Sequence, residues 1–431
     1  MSFLAATVAA FTSLEARKFD AAPPYETRWF TQRADHFGAG AAAAATWKQR
    51  YLVNADRWGS QPPLANGCKG PILFYTGNEG PIDAFWGASG FVTTTLATSL
   101  GALVVFGEER YYGLSRPTPG FTYLSTENVL ADYAALLTSL RADLNATDCP
   151  IIAFGGSYGG TLTTLFRLKY PHVVAGGLAA SAPLGYYAPS QWARRGVTPT
   201  TWFDTVVRDY TEAQPGCYDA LVAAVKLANA TARANATEVA DTFELCAPPD
   251  DTDAFVYWIT EALESIPQID YPEASGTLPG SPVNATCAAV LQDGSAGLAQ
   301  VAKMYYGYGG ASGCAKDAAN TQFRGGVPGD GPDGSSAWGY QSCTETLHQF
   351  STPAGAWRAY DFDGAALAAL CQKWYGVAPR AGWFETWTGG YEIAEKNLTS
   401  NLIFSNGKRD PWHGGGLING GDAVPGGAVF L

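Results

Sequence analysis

The chain has 431 residues, of which 47% are hydrophobic and 13% aromatic, and this is the composition of a globular protein with a substantial core. Its 39 acidic residues against 27 basic residues give a net charge of −12, and no segment concentrates lysine and arginine. We therefore expect no nucleic-acid partner, because contacts to phosphates need clustered basic side chains. The length allows one large domain with an insertion, or two domains.

The N-terminal residues 1–16 contain a short apolar stretch that is followed by small residues but has no basic residue before it. This incomplete pattern leaves a signal peptide open. No other stretch of the sequence is long and apolar enough to cross a bilayer, so we expect no membrane span.

Short apolar runs bounded by glycine or proline predict buried strands of a parallel sheet. They are residues 71–75, 103–106, 151–154, 173–180 and 401–404. Alternation of such strands with helical patterns indicates a doubly wound α/β sheet.

Two helical patterns flank the third predicted strand. Apolar residues at three- and four-residue spacing predict a helix over residues 127–144, with Ser125 or Thr126 as its cap. Residues 161–170, after the strand, also have helical spacing. The strand at 151–154 is therefore predicted to lie between two helices.

Residues 187–350 have a different pattern of apolar residues, and helical spacing dominates there, for example at 218–232 and 254–266. Residues 309–339 are rich in glycine, serine and aspartate, which predicts an irregular loop. The simplest architecture is one α/β domain built from residues 1–186 and 351–431, with a mainly helical insertion at 187–350 between them.

The cysteines and glycosylation sequons favour the secretory pathway, with a lysosomal, vacuolar or extracellular destination. Eight cysteines without a C-x-x-C pair give no support to a zinc site, and their even number allows up to four disulfides whose pairing stays open. Five N-x-T sequons predict N-glycosylation at Asn145, Asn229, Asn235, Asn284 and Asn397.

Residues 155–159 read G-x-S-x-G, the nucleophile elbow, in which a serine is exposed on a sharp turn between a strand and a helix. Ser157 is the predicted nucleophile. The backbone amide of Tyr158 is one predicted donor to the oxyanion, and the glycine-rich loop 76–80 after the first apolar strand should supply another.

A late acid is expected in this arrangement, because the order along the chain is serine, acid, histidine. Asp410 follows the last apolar strand and precedes a proline that would fix its geometry, so it is the candidate.

Ordered motifs along most of the chain resemble the S28 serine peptidases, the family of lysosomal Pro-X carboxypeptidase and dipeptidyl peptidase II. The matching segments are QRADHF at 32–37, FYTGNEG at 74–80, GEERYYG at 107–113, GGSYGG at 155–160, KYPH at 169–172, ASAP at 180–183, CTE at 343–345 and FSNGKRDPW at 404–412.

The resemblance implies an α/β-hydrolase fold whose helical insertion forms a lid over the substrate. It implies a serine exopeptidase that cleaves peptides after proline without a cofactor, and it leaves a homodimer open. It assigns Ser157 as nucleophile, Asp410 as acid, Tyr158 with Gly77 and Asn78 as oxyanion donors, and Trp412 as a wall of the proline pocket.

The catalytic histidine is where the sequence departs from the family. In the family it follows the aspartate by about two dozen residues, at the end of the next strand. That strand is predicted here at 427–431, so we expect the histidine beyond Leu431. The four histidines present are poor substitutes: His36 and His172 match family positions outside the triad, His348 is expected to be structural or exposed, and His413 lies too close to Asp410 in sequence.

Three functions therefore remain open at this point. The chain is part of an active exopeptidase, an inactive truncated homologue that binds peptides or partners, or a hydrolase of esters or lipids. The sequence does not distinguish carboxypeptidase from dipeptidyl peptidase action.

Overall fold

The computed structural model describes residues 22–41, 43–309, 313–315 and 335–417, with a seven-stranded mixed sheet at its centre. In spatial order the strands run β1-β2-β4-β3-β5-β6-β7. The first two strands pair antiparallel with each other, β2 pairs antiparallel with β4, and the remaining pairs are parallel. The strands are β1 (Glu26–Arg33), β2 (Thr46–Asn54), β3 (Ile72–Tyr75), β4 (Leu103–Gly107), β5 (Ile151–Gly156), β6 (Gly176–Ala180) and β7 (Leu402–Ser405).

All five predicted strands are present, but two of the expectations need correction. The sheet is not wholly parallel, because the unpredicted strands β1 and β2 form an antiparallel edge. The strand predicted at 173–180 begins only at Gly176, since Val173 and Val174 donate their amides to the carbonyl of Tyr170 in a turn.

Helices before the insertion pack on both faces of the sheet. The longest is α3, which begins after Ser125; the Ser125 side chain accepts a hydrogen bond from the Asn128 amide at 3.3 Å, so the predicted cap is confirmed. A π-helix (Phe91–Leu96) lies between the first two helices. The helices are α1 (Ile82–Ala88), α2 (Ala97–Leu100), α3 (Thr126–Asp143) and α4 (Tyr158–Lys169).

The described elements between β6 and β7 are helices, as the helical spacing in the sequence predicts. The α-helices are α5 (Trp192–Arg195), α6 (Thr201–Ala213), α7 (Cys217–Ala234), α8 (Ala236–Thr242), α9 (Thr252–Ser265), α10 (Pro282–Asp293), α11 (Ser295–Tyr306), α12 (Ser335–Thr344), α13 (Gly364–Tyr375), α14 (Trp383–Thr388) and α15 (Glu392–Glu395). Helix α12 begins within the segment predicted as an irregular loop, so that expectation is wrong from Ser335 onward. The exact boundaries at 187 and 350 stay a prediction.

Four disulfides use all eight cysteines and join Cys68 to Cys149, Cys217 to Cys287, Cys246 to Cys314, and Cys343 to Cys371. The expectation of up to four disulfides is therefore confirmed. They fit folding in an oxidising compartment. Nowhere in the described ranges is a helix long and apolar enough to cross a bilayer.

Two hydrophobic clusters cover the sheet and hold its strand ends in place. The larger unites α3, α4 and the insertion helices around residues such as Phe74, Tyr133 and Phe166. The smaller lies between the sheet and the α1 region, around Tyr75, Phe106 and Trp86. This arrangement, with a sharp turn from β5 into α4 after Gly156, is the predicted α/β-hydrolase fold.

Candidate active site

Ser157 occupies a strained turn between β5 and α4. Its φ of 55° and ψ of −126° lie outside the regions that L-residues usually adopt. The Ser157 amide donates to the Ala180 carbonyl at 2.9 Å, which fixes the turn against the end of β6. The side chain is therefore presented at the carboxyl edge of the sheet, as a nucleophile elbow requires.

The glycines around Ser157 are required because the backbone is crowded there. A Cβ on Gly155 would lie 2.1 Å from the Gly159 carbonyl oxygen. A Cβ on Gly159 would lie 2.4 Å from both Asn78 Oδ1 and the Gly77 carbonyl oxygen. The elbow and the loop after β3 thus approach each other closely enough to act on one substrate atom.

The amide of Tyr158 is the first N–H of α4, where a helix leaves its donors without intrahelical partners. Within the described residues, no backbone carbonyl accepts a hydrogen bond from Gly77, Asn78 or Tyr158. These amides at the meeting of the elbow and the β3 loop are thus free to receive an anionic oxygen.

The Asn78 side chain holds the loop to the elbow and is not itself a free donor. Its Nδ2 donates to the Gly156 carbonyl at 2.8 Å and to Glu79 Oε2 at 3.1 Å, while its Oδ1 accepts from the Tyr75 hydroxyl at 2.9 Å. Any contribution of Asn78 to oxyanion binding must therefore come from its backbone amide.

Asp410 caps a 3₁₀-helix (Pro411–Gly415) that follows β7. Its Oδ1 accepts a hydrogen bond from the Trp412 amide at 3.0 Å. Burial raises the pKa of the Asp410 carboxyl, and hydrogen bonds from the Ser181 hydroxyl and the Trp412 amide oppose this increase. The carboxyl is thus oriented by two donors at the end of the sheet.

Trp412 is buried, and its side chain is held by one hydrogen bond and by contacts with neighbouring rings. Its Nε1 donates to Gln268 Oε1 at 2.7 Å, so the insertion fixes the rotation of the indole. The ring packs against His348, Trp202 and Phe350 with centroids 5.4 to 5.9 Å apart. Such a rigid flat surface is suited to contact with an apolar ring of a ligand.

A cavity of about 420 Å³ brings these groups together, since Ser157, Asp410, Trp412 and Asn78 all line it. The insertion contributes part of the wall through Gln268, Ile269 and Tyr271. The remaining apolar lining includes Phe85, Phe91, Val92, Phe154 and Leu178. Gly77, also predicted at the site, does not line the cavity. Its φ of 71° is a left-handed conformation that glycine allows in the loop after β3.

The model of the serine carboxypeptidase S28 family matches residues 32–424. The chain belongs to the S28 serine peptidases. It is 33% identical to mouse lysosomal Pro-X carboxypeptidase over 91% of this chain and 79% of that protein, and 34% identical to the human protein over the same shares. A solved esterase from the archaeon Pyrobaculum calidifontis is 16% identical, with a TM-score of 0.29, over 41% of this chain and 52% of that one.

None of the four histidines of this S28 chain lines the cavity, and all four lie in the part that the structure describes. His36 Nε2 pairs with Asp132 at 2.7 Å, and His172 is exposed beside Tyr170. His413 Nδ1 lies 2.5 Å from the backbone oxygen of Asp410, and the ring is close enough to lower the pKa of the Asp410 carboxyl.

His348 is buried among aromatic rings, and neither ring nitrogen has a partner among the described residues. This burial lowers the pKa of the imidazole to about 3, so the ring stays neutral. Of the two expected environments, structural or exposed, His348 has the structural one, and it packs against Trp412. The strand predicted at 427–431 lies outside the described residues.

Two site features of this S28 chain are absent from the sequence predictions. Ser181 has a φ of 47°, donates its amide to the Ser405 carbonyl at 2.7 Å and hydrogen-bonds Asp410. The only sequence feature that pointed to Ser181 is its position in the ASAP segment at 180–183. Gln268 has no sequence signal, because its contact with Trp412 spans 144 residues.

The predicted glycosylation sites are accessible to different degrees. Asn145, Asn235, Asn284 and Asn397 are exposed, whereas Asn229 is half-buried on α7. Glycosylation itself stays a prediction at all five positions.

Proposed function

We propose that this protein is a serine exopeptidase that cleaves peptides after proline through an acyl-enzyme on Ser157. The observation that carries the proposal is that Ser157, Asp410 and Trp412, which follow two different strands, line one cavity. The names of the mouse and human relatives, lysosomal Pro-X carboxypeptidase, support the choice of proline. A lysosomal location is part of the same proposal.

The reaction begins with attack of Ser157 Oγ on the carbonyl carbon of the proline residue. The proton of the hydroxyl passes to a general base, and Asp410 holds that base in the correct orientation. The amides of Tyr158 and the Gly77–Asn78 loop stabilise the negative oxygen that forms. The leaving amine takes the proton from the base, and water then releases the proline carboxylate.

Selectivity for proline follows from the rigidity of the Trp412 wall. The indole is held by Gln268 and by its aromatic neighbours, so the surface cannot rearrange around a bulkier side chain. A pyrrolidine ring packs flat on such a surface at little entropic cost.

The test compares matched peptides on the full-length gene product. N-blocked peptides with proline or alanine before the last residue measure carboxypeptidase action, and dipeptidyl anilides with the same pair measure action from the N-terminus. We expect one of the two proline substrates to be turned over with at least about tenfold higher kcat/KM than its alanine match.

Ser157→Ala and Ser99→Ala form the matched pair of variants for this assay. Ser99 is an exposed serine of α2 whose hydroxyl donates to the Thr95 carbonyl, so its loss should leave turnover unchanged. Loss of Ser157 should abolish it. Turnover by Ser157→Ala, or hydrolysis of short acyl esters alone, would contradict the proposed function.

A further inference from the structure

The side-chain amide of Asn78 links the proposed oxyanion loop to the nucleophile, and both its nitrogen and its oxygen have hydrogen-bond partners. Gly156, which accepts one of them at 2.8 Å, is the residue directly before Ser157. The second acceptor is Glu79 Oε2 at 3.1 Å, and Tyr75 donates to the amide oxygen. Glu79 therefore fixes which way the Asn78 amide faces.

Glu79 is itself buried, with 3% of its surface exposed. Its second oxygen, Oε1, has no hydrogen-bond partner among the described residues. An ionised carboxylate that is buried with one oxygen unpartnered is costlier than the neutral acid, because its charge has lost its hydration without full compensation. Consistently, burial raises the pKa of Glu79 to about 7.

The groups that face Glu79 provide no positive charge to offset an ionised carboxylate. They are Glu109 after β4, Tyr112 in the same loop, Tyr75 at the end of β3, and Tyr187 in the 3₁₀-helix (Leu184–Tyr187). Burial raises the pKa of each phenol and of Glu109, so all four are neutral near pH 5.

Glu109 continues the buried network toward the nucleophile helix. Its Oε1 accepts from the Tyr158 hydroxyl and from Gln341 Nε2, each at 3.2 Å, and its Oε2 has no partner within the described residues. Glu345, Tyr112 and Tyr133 also interact with Glu109. Arg380 pairs with Glu345, but no cation within the described residues is among the groups that shift the pKa of Glu79.

We propose that Glu79 is a positioning residue: in its neutral form it holds the Asn78 bridge, and a negative charge on it weakens binding of anionic oxygen at the adjacent amides. The inference rests on the proposed function for the identity of the oxyanion loop. Two like charges on neighbouring groups in a buried site repel each other strongly, because little water screens them. The site is thereby adapted to acidic conditions.

The experiment measures binding of a product, so it does not depend on turnover. Exopeptidase action from either end of a peptide releases an acyl product that ends in a proline carboxylate. N-acetyl-Ala-Pro is the probe, and its Kd is measured by calorimetry at pH 5 and pH 8 on the full-length protein. Wild type should bind about tenfold more weakly at pH 8.

Glu79→Gln keeps an acceptor for Asn78 but cannot become charged, so its ratio of affinities between the two pH values should be at least about threefold smaller than that of wild type. Glu345→Gln is the matched control. Glu345 is another buried acid whose burial raises its pKa to about 7, but it bonds to Thr126 and Arg380 and not to Asn78. This control should keep the wild-type ratio.

Tyr75→Phe provides a second variant in case Glu79→Gln does not fold. It removes the other partner of the Asn78 amide and leaves the charge on Glu79, so it should weaken binding at both pH values and preserve the ratio. A ratio in Tyr75→Phe that falls to about one would overturn the inference.

Three results distinguish this inference from the proposed function. If Glu79→Gln keeps the full wild-type ratio, the inference alone is wrong. If wild type does not bind the probe at pH 5, the proposed function fails and the inference fails with it. If free Ala-Pro binds more tightly than the acetylated probe and Glu79→Gln removes that preference, Glu79 contacts the ligand amine and is not a positioning residue.

Discussion

The side chain of Asp410 accepts hydrogen bonds from the backbone amide of Trp412 and from the Ser181 hydroxyl, and it lines the cavity that contains Ser157. An acid so held can impose one tautomer and one orientation on an imidazole, and that role is worth several orders of magnitude in other serine hydrolases. Its contribution should appear in the rate and not in substrate binding.

Asp410→Asn should therefore lower kcat of the full-length enzyme about 10⁴-fold and change KM by less than threefold, because the amide favours the wrong tautomer of the base. Steady-state kinetics with the proline reporter gives the measurement. Asp361→Asn, at an exposed aspartate, is the control and should behave as wild type. A loss of less than about tenfold in Asp410→Asn would remove the residue from the catalytic role.

The contribution of the Trp412 ring and that of its hydrogen bond to Gln268 can be tested separately. Gln268→Leu removes the acceptor of the indole N–H and leaves the ring in place, so we expect KM for the proline substrate to rise severalfold while kcat changes little. Trp412→Ala should in addition reduce the preference for proline over alanine toward unity. An unchanged preference in Trp412→Ala would place the proline ring elsewhere in the cavity.

At the scale of elements, the junction of β5, α4 and the loop after β3 depends on close backbone packing. Gly159→Ala would place a Cβ 2.4 Å from the Gly77 oxygen, whereas the nearest atom to a Cβ on Gly156 is the Ala180 oxygen at 4.0 Å. Both glycines lie in the elbow, Gly156 at the end of β5 and Gly159 in the first turn of α4.

Gly159→Ala should consequently lower the free energy of unfolding by about 1–3 kcal/mol, as overpacking does, and Gly156→Ala by less than 1 kcal/mol. Chemical denaturation of both variants at pH 5 makes the comparison. Equal stabilities would mean that the loop after β3 does not press against α4.

Elements buried on both faces were the ones that the sequence could predict. The runs that became β3, β4 and β5 are continuously apolar, and this pattern is typical of central strands. Strand β1 mixes exposed Trp29 with charged residues at an edge of the sheet, so it shows no such pattern.

The site was predictable to the extent that its residues lie in local motifs. Ser157 and Asp410 follow predicted strands, so their chemistry was visible in the sequence. The wall that Gln268 supplies, the Asn78 bridge to Gly156 and the place of His348 behind Trp412 arise only when distant segments meet. Neither periodicity nor spacing encodes such contacts.

On the scale of the whole molecule, the most consistent electrostatic feature is a set of buried carboxyl groups with raised pKa values. Burial raises the pKa of Glu79 and Glu345 to about 7 each and that of Asp209 to about 6, and it also raises the pKa of Glu109 and Glu261 well above the ordinary value. The folded state therefore binds more protons than the unfolded state between about pH 4.5 and pH 7.

Stability should fall as pH rises through this window, because stability decreases with pH wherever the folded state holds more protons. His348 has a lowered pKa and acts in the opposite sense, but it is one group against several. We expect the midpoint of thermal unfolding at pH 7.5 to lie at least about 5 °C below that at pH 5. A midpoint that rises over this range would contradict the protonated state assigned to the buried acids.

The central claim, that this S28 chain carries out proline-directed acyl transfer on Ser157, is tested most directly by trapping the intermediate. The full-length protein is mixed with an excess of an N-blocked proline ester, quenched with acid, and analysed by mass spectrometry of its peptides. We expect an acyl group on the peptide that contains Ser157 and no such group in Ser157→Ala. Turnover of the ester without acylation of Ser157, or acylation at another residue, would contradict it.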